Sequence, residues 1–283
     1  MGILNNGKIT FTLIAASSLL LCAYTRSKNK TRSAVKNPLE KGRPATNRIF
    51  SSHWVDLKGV RCHVREVTSR SPSSHLPVVL VHGLGVSGSY FVPFAEELAL
   101  EFDVYVPDLP GHGRSDTPAR SMDVKALAEA LEKWMAEAEV NRAILIAHSM
   151  GCQVAAELAL QYPEKVERMV MIGLTPDPHE RSIGVHFMRL LKAAVHERLS
   201  IVWPVAKDYL RMNRRIIPEL IAMINDPIKE KLEKLSVPSM LVRGEHDAIF
   251  PQYWFEEAIR LSGALDSAVI AGGAHAVQYS MPE

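Results

Sequence analysis

Residues 143–151 read AILIAHSMG, an apolar run that stops at His148 and gives way to a helical stretch. Apolar residues without alternation describe a strand buried on both faces, as in a parallel sheet covered by helices. Ser149 follows where strand turns into helix. Such a turn is folded tightly and tolerates only small residues two places either side of the serine, a need that Ala147 and Gly151 meet. A serine placed there also gains from the oriented backbone N–H groups at a helix start. Ser149 is therefore the candidate nucleophile, and the N–H of Met150 is a candidate donor to a developing oxyanion.

Seven further apolar runs fit strands, at 53–57, 60–66, 78–82, 104–107, 168–172, 239–242 and 267–270. The first two read as a hairpin through Lys58 and Gly59. Amphipathic stretches fill the gaps: 121–138 puts Leu127, Leu131 and Trp134 on one helical face, and Pro163 ends the helix that carries Val154. This alternation predicts an α/β fold, an eight-stranded, mostly parallel sheet flanked by helices. Between Leu174 and Ser236 the pattern breaks into a helical insertion punctuated by Pro176, Pro178, Pro204, Pro218 and Pro227. It is expected to form a cap, at about 175–236, over the carboxyl edge of the sheet.

Three more motifs follow strands. In Val81-His82-Gly83-Leu84-Gly85 the glycines let the backbone turn inward, so that the N–H of Leu84 joins that of Met150 as an oxyanion donor; the plain alternative is a glycine turn. RGEHD (243–247) and GGAH (272–275) supply Asp247 and His275. A serine at its ordinary pKa is a poor nucleophile and needs an imidazole, which in turn needs a carboxylate to fix its tautomer. His275 is read as the base and Asp247 as the orienting acid, with Asp177, after the strand at 168–172, as the rival acid. His148, His246 and His112 lie beside these motifs and are assigned structural or substrate-shaping roles, because only His275 ends a final strand.

Together these motifs resemble the α/β-hydrolase superfamily, from the hairpin near residue 53 through His275. Members of that family carry the same chain order: an elbow serine, an acid after the seventh strand and a histidine after the eighth. The stretch PDLPGHGRSD (107–116) is similar to a turn in its esterase, lipase and carbon-carbon hydrolase members. The resemblance implies a serine hydrolase, carboxylesterase- or lipase-like, that cleaves an ester or similar acyl bond of a small molecule through an acyl-enzyme, with no cofactor. Serine at 149 argues against epoxide hydrolase and haloalkane dehalogenase activity, which use an aspartate there. Two alternatives stay open: a carbon-carbon bond hydrolase of the meta-cleavage-product type, and an inactive membrane-tethered binding module of the same fold. Within the insertion, Trp203, Phe187, Met188, Met212 and Met223 read as core or as the lining of an acyl pocket. Arg181, Arg189, Arg198, Arg211, Arg214 and Arg215 read as a solvated face or as contacts to a substrate carboxylate. Cys152 is expected beneath the elbow helix.

The 283 residues are 47% apolar and 23% charged with a formal charge of +2, enough for one large domain and without the basic stripe that nucleic-acid binding needs. Cys22, Cys62 and Cys152 make no disulfide framework, and no CxxC or histidine-rich spacing suggests a metal site. No motif specifies an oligomeric state. Residues 9–24, ITFTLIAASSLLLCAY, carry no charge; as a helix they span about 24 Å. They are read as an uncleaved membrane anchor within 1–24, with a signal peptide as the alternative. Residues 25–49 are a basic linker, and their excess of Lys and Arg predicts a cytoplasmic catalytic domain at 50–283, export being the alternative. At the other end, SMPE (280–283) reads as a capping box announcing a helix, so the chain is expected to be cut short of one that relatives possess.

Overall fold

The computed structural model of the chain describes residues 50–69, 76–212 and 215–282. The apolar run at 9–24, the basic linker, Arg214 and Glu283 lie outside the described residues. Among the described residues no helix is long and apolar enough to cross a membrane.

Strands β1 (Ser51–Asp56) and β2 (Arg61–Val67) form the expected antiparallel hairpin. Its turn holds Lys58 and Gly59 at φ 59° and 98°, the left-handed pair whose twist matches that of the flanking strands. The Asp56 carboxylate accepts from the Gly59 N–H at 2.7 Å. There follow β3 (Val78–Val81), α1 (Val92–Leu98), β4 (Val104–Pro107), α2 (Val124–Glu137), β5 (Ala143–His148), α3 (Met150–Gln161) and β6 (Val166–Ile172). Four helices then intervene: α4 (Ile183–Ala194), α5 (Leu199–Met212), α6 (Ile216–Asn225) and α7 (Ile228–Lys234). The chain closes with β7 (Ser239–Gly244), α8 (Gln252–Ser262), β8 (Asp266–Ile270) and the single turn α9 (Val277–Ser280).

The strands form one sheet in the order β1-β2-β4-β3-β5-β6-β7-β8, antiparallel at β1–β2 and β2–β4 and parallel elsewhere. Each expected strand is present, its ends within two residues of those read from the sequence. Val78 and Leu80 pack on the face that holds Phe91, Val106 and Val277, whereas Val79 and Val81 pack on the opposite face with Leu127, Trp134 and Leu158. Burial of alternate residues on opposite faces is what removes the alternation from VVLV and AILIA. Helix α2 starts at Val124 rather than 121, because the Asp123 side chain accepts from the Ala126 N–H at 2.8 Å and caps it. Ser280 is the last residue of α9, and its hydroxyl lies 3.1 Å from the Ala276 carbonyl and 3.2 Å from the Glu197 carboxylate.

The chain leaves β3 for β4 on one side and returns past it to β5 on the other. That reversal makes the carboxyl ends of β3 and β5 the switch point at which open α/β sheets bind ligands. Helix α7 buries Ile228 and Leu232 in the core shared with α3 and α8 and belongs to the layer flanking the sheet. Helices α4 to α6 instead reach the carboxyl-edge loops: Tyr209 and Ile216 press on Gly85, the Ser87 hydroxyl donates to Asp208, and Arg189 pairs with Asp177.

Candidate active site

Ser149 sits between β5 and α3 at φ 56° and ψ −125°, a conformation that L-residues rarely adopt. Such strain costs about 1–3 kcal/mol and persists only where the surroundings over-determine it. They do so here. The Ser149 N–H donates to the Ile172 carbonyl at 2.9 Å, one step beyond the β5–β6 pairing of His148 with Ile172. Gly151 lies so close to β3 that a Cβ would meet the Val81 carbonyl oxygen at 2.2 Å, which excludes any side chain.

The loop after β3 packs edge-on against the serine: a Cβ on Gly83 would lie 3.0 Å from the Ser149 Cβ and 3.4 Å from its Oγ. The two residues named as oxyanion donors thus flank this contact in sequence, Leu84 next to Gly83 and Met150 next to Ser149. His82 holds the loop from inside. The Leu109 N–H donates to its Nε2 at 2.9 Å, so the proton resides on Nδ1 and goes to the Gly83 carbonyl, also at 2.9 Å. Burial depresses the pKa of His82 and keeps it in this neutral form.

Asp247 and His275 come together from the loops after β7 and β8, with Oδ2 2.8 Å from Nδ1. The other carboxylate oxygen accepts from the N–H groups of Ile249 and Phe250 at 2.9 and 3.0 Å. Burial alone would raise the Asp247 carboxyl; the charge of His275 and these hydrogen bonds outweigh it and hold the carboxyl below its ordinary range. For His275, burial pulls downward, and Asp247 and Glu197 more than offset it, so the imidazole is raised. An ionised Asp247 fixes the proton on Nδ1 and leaves the Nε2 lone pair available. Gly173, at φ 59°, directly follows Ile172, and a Cβ there would lie 2.9 Å from the His275 ring and 3.3 Å from Asp247 Oδ2. One dipeptide, Ile172-Gly173, therefore touches the backbone of Ser149 on one side and the ring of His275 on the other.

Two residues that the sequence did not single out support the histidine. Tyr90 accepts from the Gly83 N–H at 3.2 Å and donates to His148 Nδ1 at 2.7 Å, and His148 Nε2 donates to the His275 carbonyl at 3.0 Å. These directions follow because burial, with His275 nearby, drives the pKa of His148 well down, and a neutral imidazole has one donor and one acceptor. Glu197, from the α4–α5 connection, accepts from the Ala276 N–H at 2.7 Å. No local motif marks either residue.

The other candidates have different partners. Asp177 is buried, but it accepts from Arg189 at 2.7 Å, from the Tyr253 hydroxyl and from the His179 N–H at 3.0 Å, and so ties α4 and α8 to the end of β6. His246 stacks on His196 at 4.5 Å, and His112 Nε2 lies 3.5 Å from Glu219 of α6. Cys152 lies beneath the elbow as expected, its thiol donating towards the Ala147 and Ile172 carbonyls and its pKa pushed up by burial. Within the insertion Met212 and Met223 are buried, but Met188 and Trp203 are 62% and 75% exposed, because their helices turn those faces outward. Arg189 is committed to Asp177 and Arg215 to the Pro118 carbonyl, whereas Arg181, Arg198 and Arg211 are exposed. Among the described residues no group of three or more His, Cys, Asp or Glu side chains could hold a metal ion.

A family model described as alpha/beta hydrolase fold matches residues 77–194. An uncharacterized protein of Mycobacterium tuberculosis is 33% identical over 103 residues, 35% of this chain, and the match spans only 30% of that relative's length. The pimeloyl-[acyl-carrier protein] methyl ester esterase of Edwardsiella ictaluri is 27% identical over 235 residues, covering 73% of this chain and 88% of the esterase. Among solved structures, a membrane phospholipase A described as a bacterial virulence factor superimposes with a TM-score of 0.69 at 20% identity, covering 97% of this chain and 90% of its own.

Proposed function

We propose that the chain is a hydrolase of the α/β-hydrolase superfamily and that it cleaves an ester or similar acyl bond of a small molecule through an acyl-enzyme on Ser149. His275 Nε2 takes the hydroxyl proton as Ser149 Oγ attacks the carbonyl carbon, and Asp247 stabilises the imidazolium. The N–H groups of Met150 and Leu84 carry the oxyanion, a contribution of about two to three powers of ten per donor. The imidazolium then protonates the leaving alcohol. Water attacks the acyl-enzyme with the same histidine as base, which frees the acid and restores Ser149.

The observation that carries this reading is the partly buried Asp247–His275 pair at 2.8 Å, on the same sheet rim as a serine strained at φ 56°. The relationship to a methyl ester esterase over most of that protein's length supports the ester rather than the carbon-carbon reading. A fluorophosphonate probe should label the purified chain at Ser149, with no labelling in Ser149→Ala, and p-nitrophenyl esters of graded acyl length should be turned over. A well-folded preparation that neither labels nor turns over any ester would instead be a binding module.

A further inference from the structure

Helix α5 is apolar on two opposite faces. Its inner face buries Ile201 and Met212 and, through Asp208 and Tyr209, meets Ser87 and Gly85 of the loop after β3. Its outer face carries Leu199, Trp203 and Leu210, which are 46%, 75% and 63% exposed. With 3.6 residues per turn, these three directions fall within about 40° of one another, so they form a single stripe. Three large apolar side chains in line on one exposed helix face mark a surface that meets something other than water.

The charge beside the stripe identifies the partner. Arg198, just before α5, and Lys207 and Arg211 on it are exposed, and among the described residues none of them takes part in an ion pair. The one acid of the helix, Asp208, is buried against Ser87. The outer face is thus apolar and cationic with no carboxylate of its own. Two copies meeting through α5 would oppose cation to cation. A bilayer that contains anionic lipid supplies an apolar layer for Leu199 and Leu210, an interfacial layer suited to the amphipathic indole of Trp203, and counter-charge for the three cations. We infer that the outer face of α5 docks on the surface of an anionic lipid bilayer. The docked helix is the one whose inner side rests on the loop that packs against Ser149, so docking sets that loop one helix diameter, about 10 Å, from the lipid.

Tryptophan fluorescence of the 283-residue chain tests this without reference to hydrolysis. Subtracting the spectrum of Trp203→Phe from that of the wild type isolates the emission of Trp203. On vesicles of equimolar phosphatidylglycerol and phosphatidylcholine the difference emission should shift to the blue and be quenched by brominated acyl chains. In Lys207→Gln/Arg211→Gln the ratio of docked to undocked emission should fall by about 30-fold, the worth of two cations near an anionic surface. An unshifted, unquenched Trp203 on vesicles that retain the protein would overturn the inference, however the chain is retained. So would an equal shift on pure phosphatidylcholine, or a blue shift that grows with protein concentration without vesicles, which would make this face a contact between copies.

Discussion

Replacing Asp247 by asparagine tests the proposed acid at one atom. In the native site Oδ1 accepts from two backbone N–H groups, at 2.9 and 3.0 Å, and Oδ2 faces His275 Nδ1 at 2.8 Å. The asparagine oxygen must keep the first position, since an NH2 group there would confront two donors. The NH2 group then faces Nδ1, which can only accept from it, and the imidazole proton is driven to Nε2, the atom that takes the proton of Ser149 in the proposed reaction. A wrong tautomer in an otherwise intact triad costs about 10⁴ in kcat, or about 5 kcal/mol of transition-state stabilisation. Asp177→Asn is the paired control. It weakens a contact to Arg189 whose side chain is 20% exposed, and so should lower stability with less than a tenfold loss of kcat. Steady-state turnover of a soluble p-nitrophenyl ester, normalised to folded protein by circular dichroism, compares the two. If Asp247→Asn keeps more than a tenth of wild-type kcat, or if Asp177→Asn loses as much at equal folding, the assignment of the acid is wrong.

His275 must be neutral to accept a proton, so kcat/KM should be lost as pH falls through its pKa, which lies above the ordinary value because Asp247 and Glu197 outweigh burial. Glu197→Gln removes one of these charges and should move that acid limb to lower pH in a pH–rate profile; a purely structural role for Glu197 would lower the plateau and leave the limb in place. Burial pushes Glu219 up to about 7, above its unfolded value. Stability should therefore decline as pH rises from about 4 to about 7 and then level off, and Glu219→Gln should lack this decline and be more stable than wild type by about 3 kcal/mol at pH 8, as measured by urea unfolding at pH 5 and pH 8. Tyr90→Phe leaves the buried Gly83 N–H without its acceptor and should cost about 1–3 kcal/mol of stability, with kcat reduced more than KM in the same ester assay.

The parts of the fold that were legible are those whose physical cause is local. Ala143-Ile144-Leu145-Ile146-Ala147 announces a strand covered on both faces because neighbouring side chains enter different cores, and Gly151 announces the elbow because a Cβ there would lie 2.2 Å from the Val81 carbonyl oxygen. Periodicity failed where a helix offers no single apolar side. In α5, Leu199, Trp203 and Leu210 repeat at helical spacing, and so do Ile201 and Met212 on the far side, so the pattern alone does not say which set faces the core. The start of α2 was misplaced for a smaller reason: Ser121 and Asp123 are both suitable caps, and the carboxylate of Asp123 is the one that reaches a free N–H.

The supports of the histidine were illegible for a stronger reason. His148 lies 127 positions from the carbonyl it binds, and Glu197 lies 79 positions from its N–H partner, so neither contact exists until β5, β8 and the insertion have converged. Together they hold the main chain on both sides of the imidazole: the carbonyl of His275 is fixed from the sheet and the N–H of Ala276 from the α4–α5 connection. With Asp247 binding Nδ1, little freedom remains to the ring, and that restriction is what a base must have if it is to meet a serine whose own backbone is strained into place. The same geometry makes the position of His275 depend on the insertion. A displacement of the α4–α5 connection reaches His275 through Glu197, which accepts from the Ala276 N–H, whereas a displacement of the sheet reaches it through His148, whose partner Tyr90 also holds the loop that packs against Ser149.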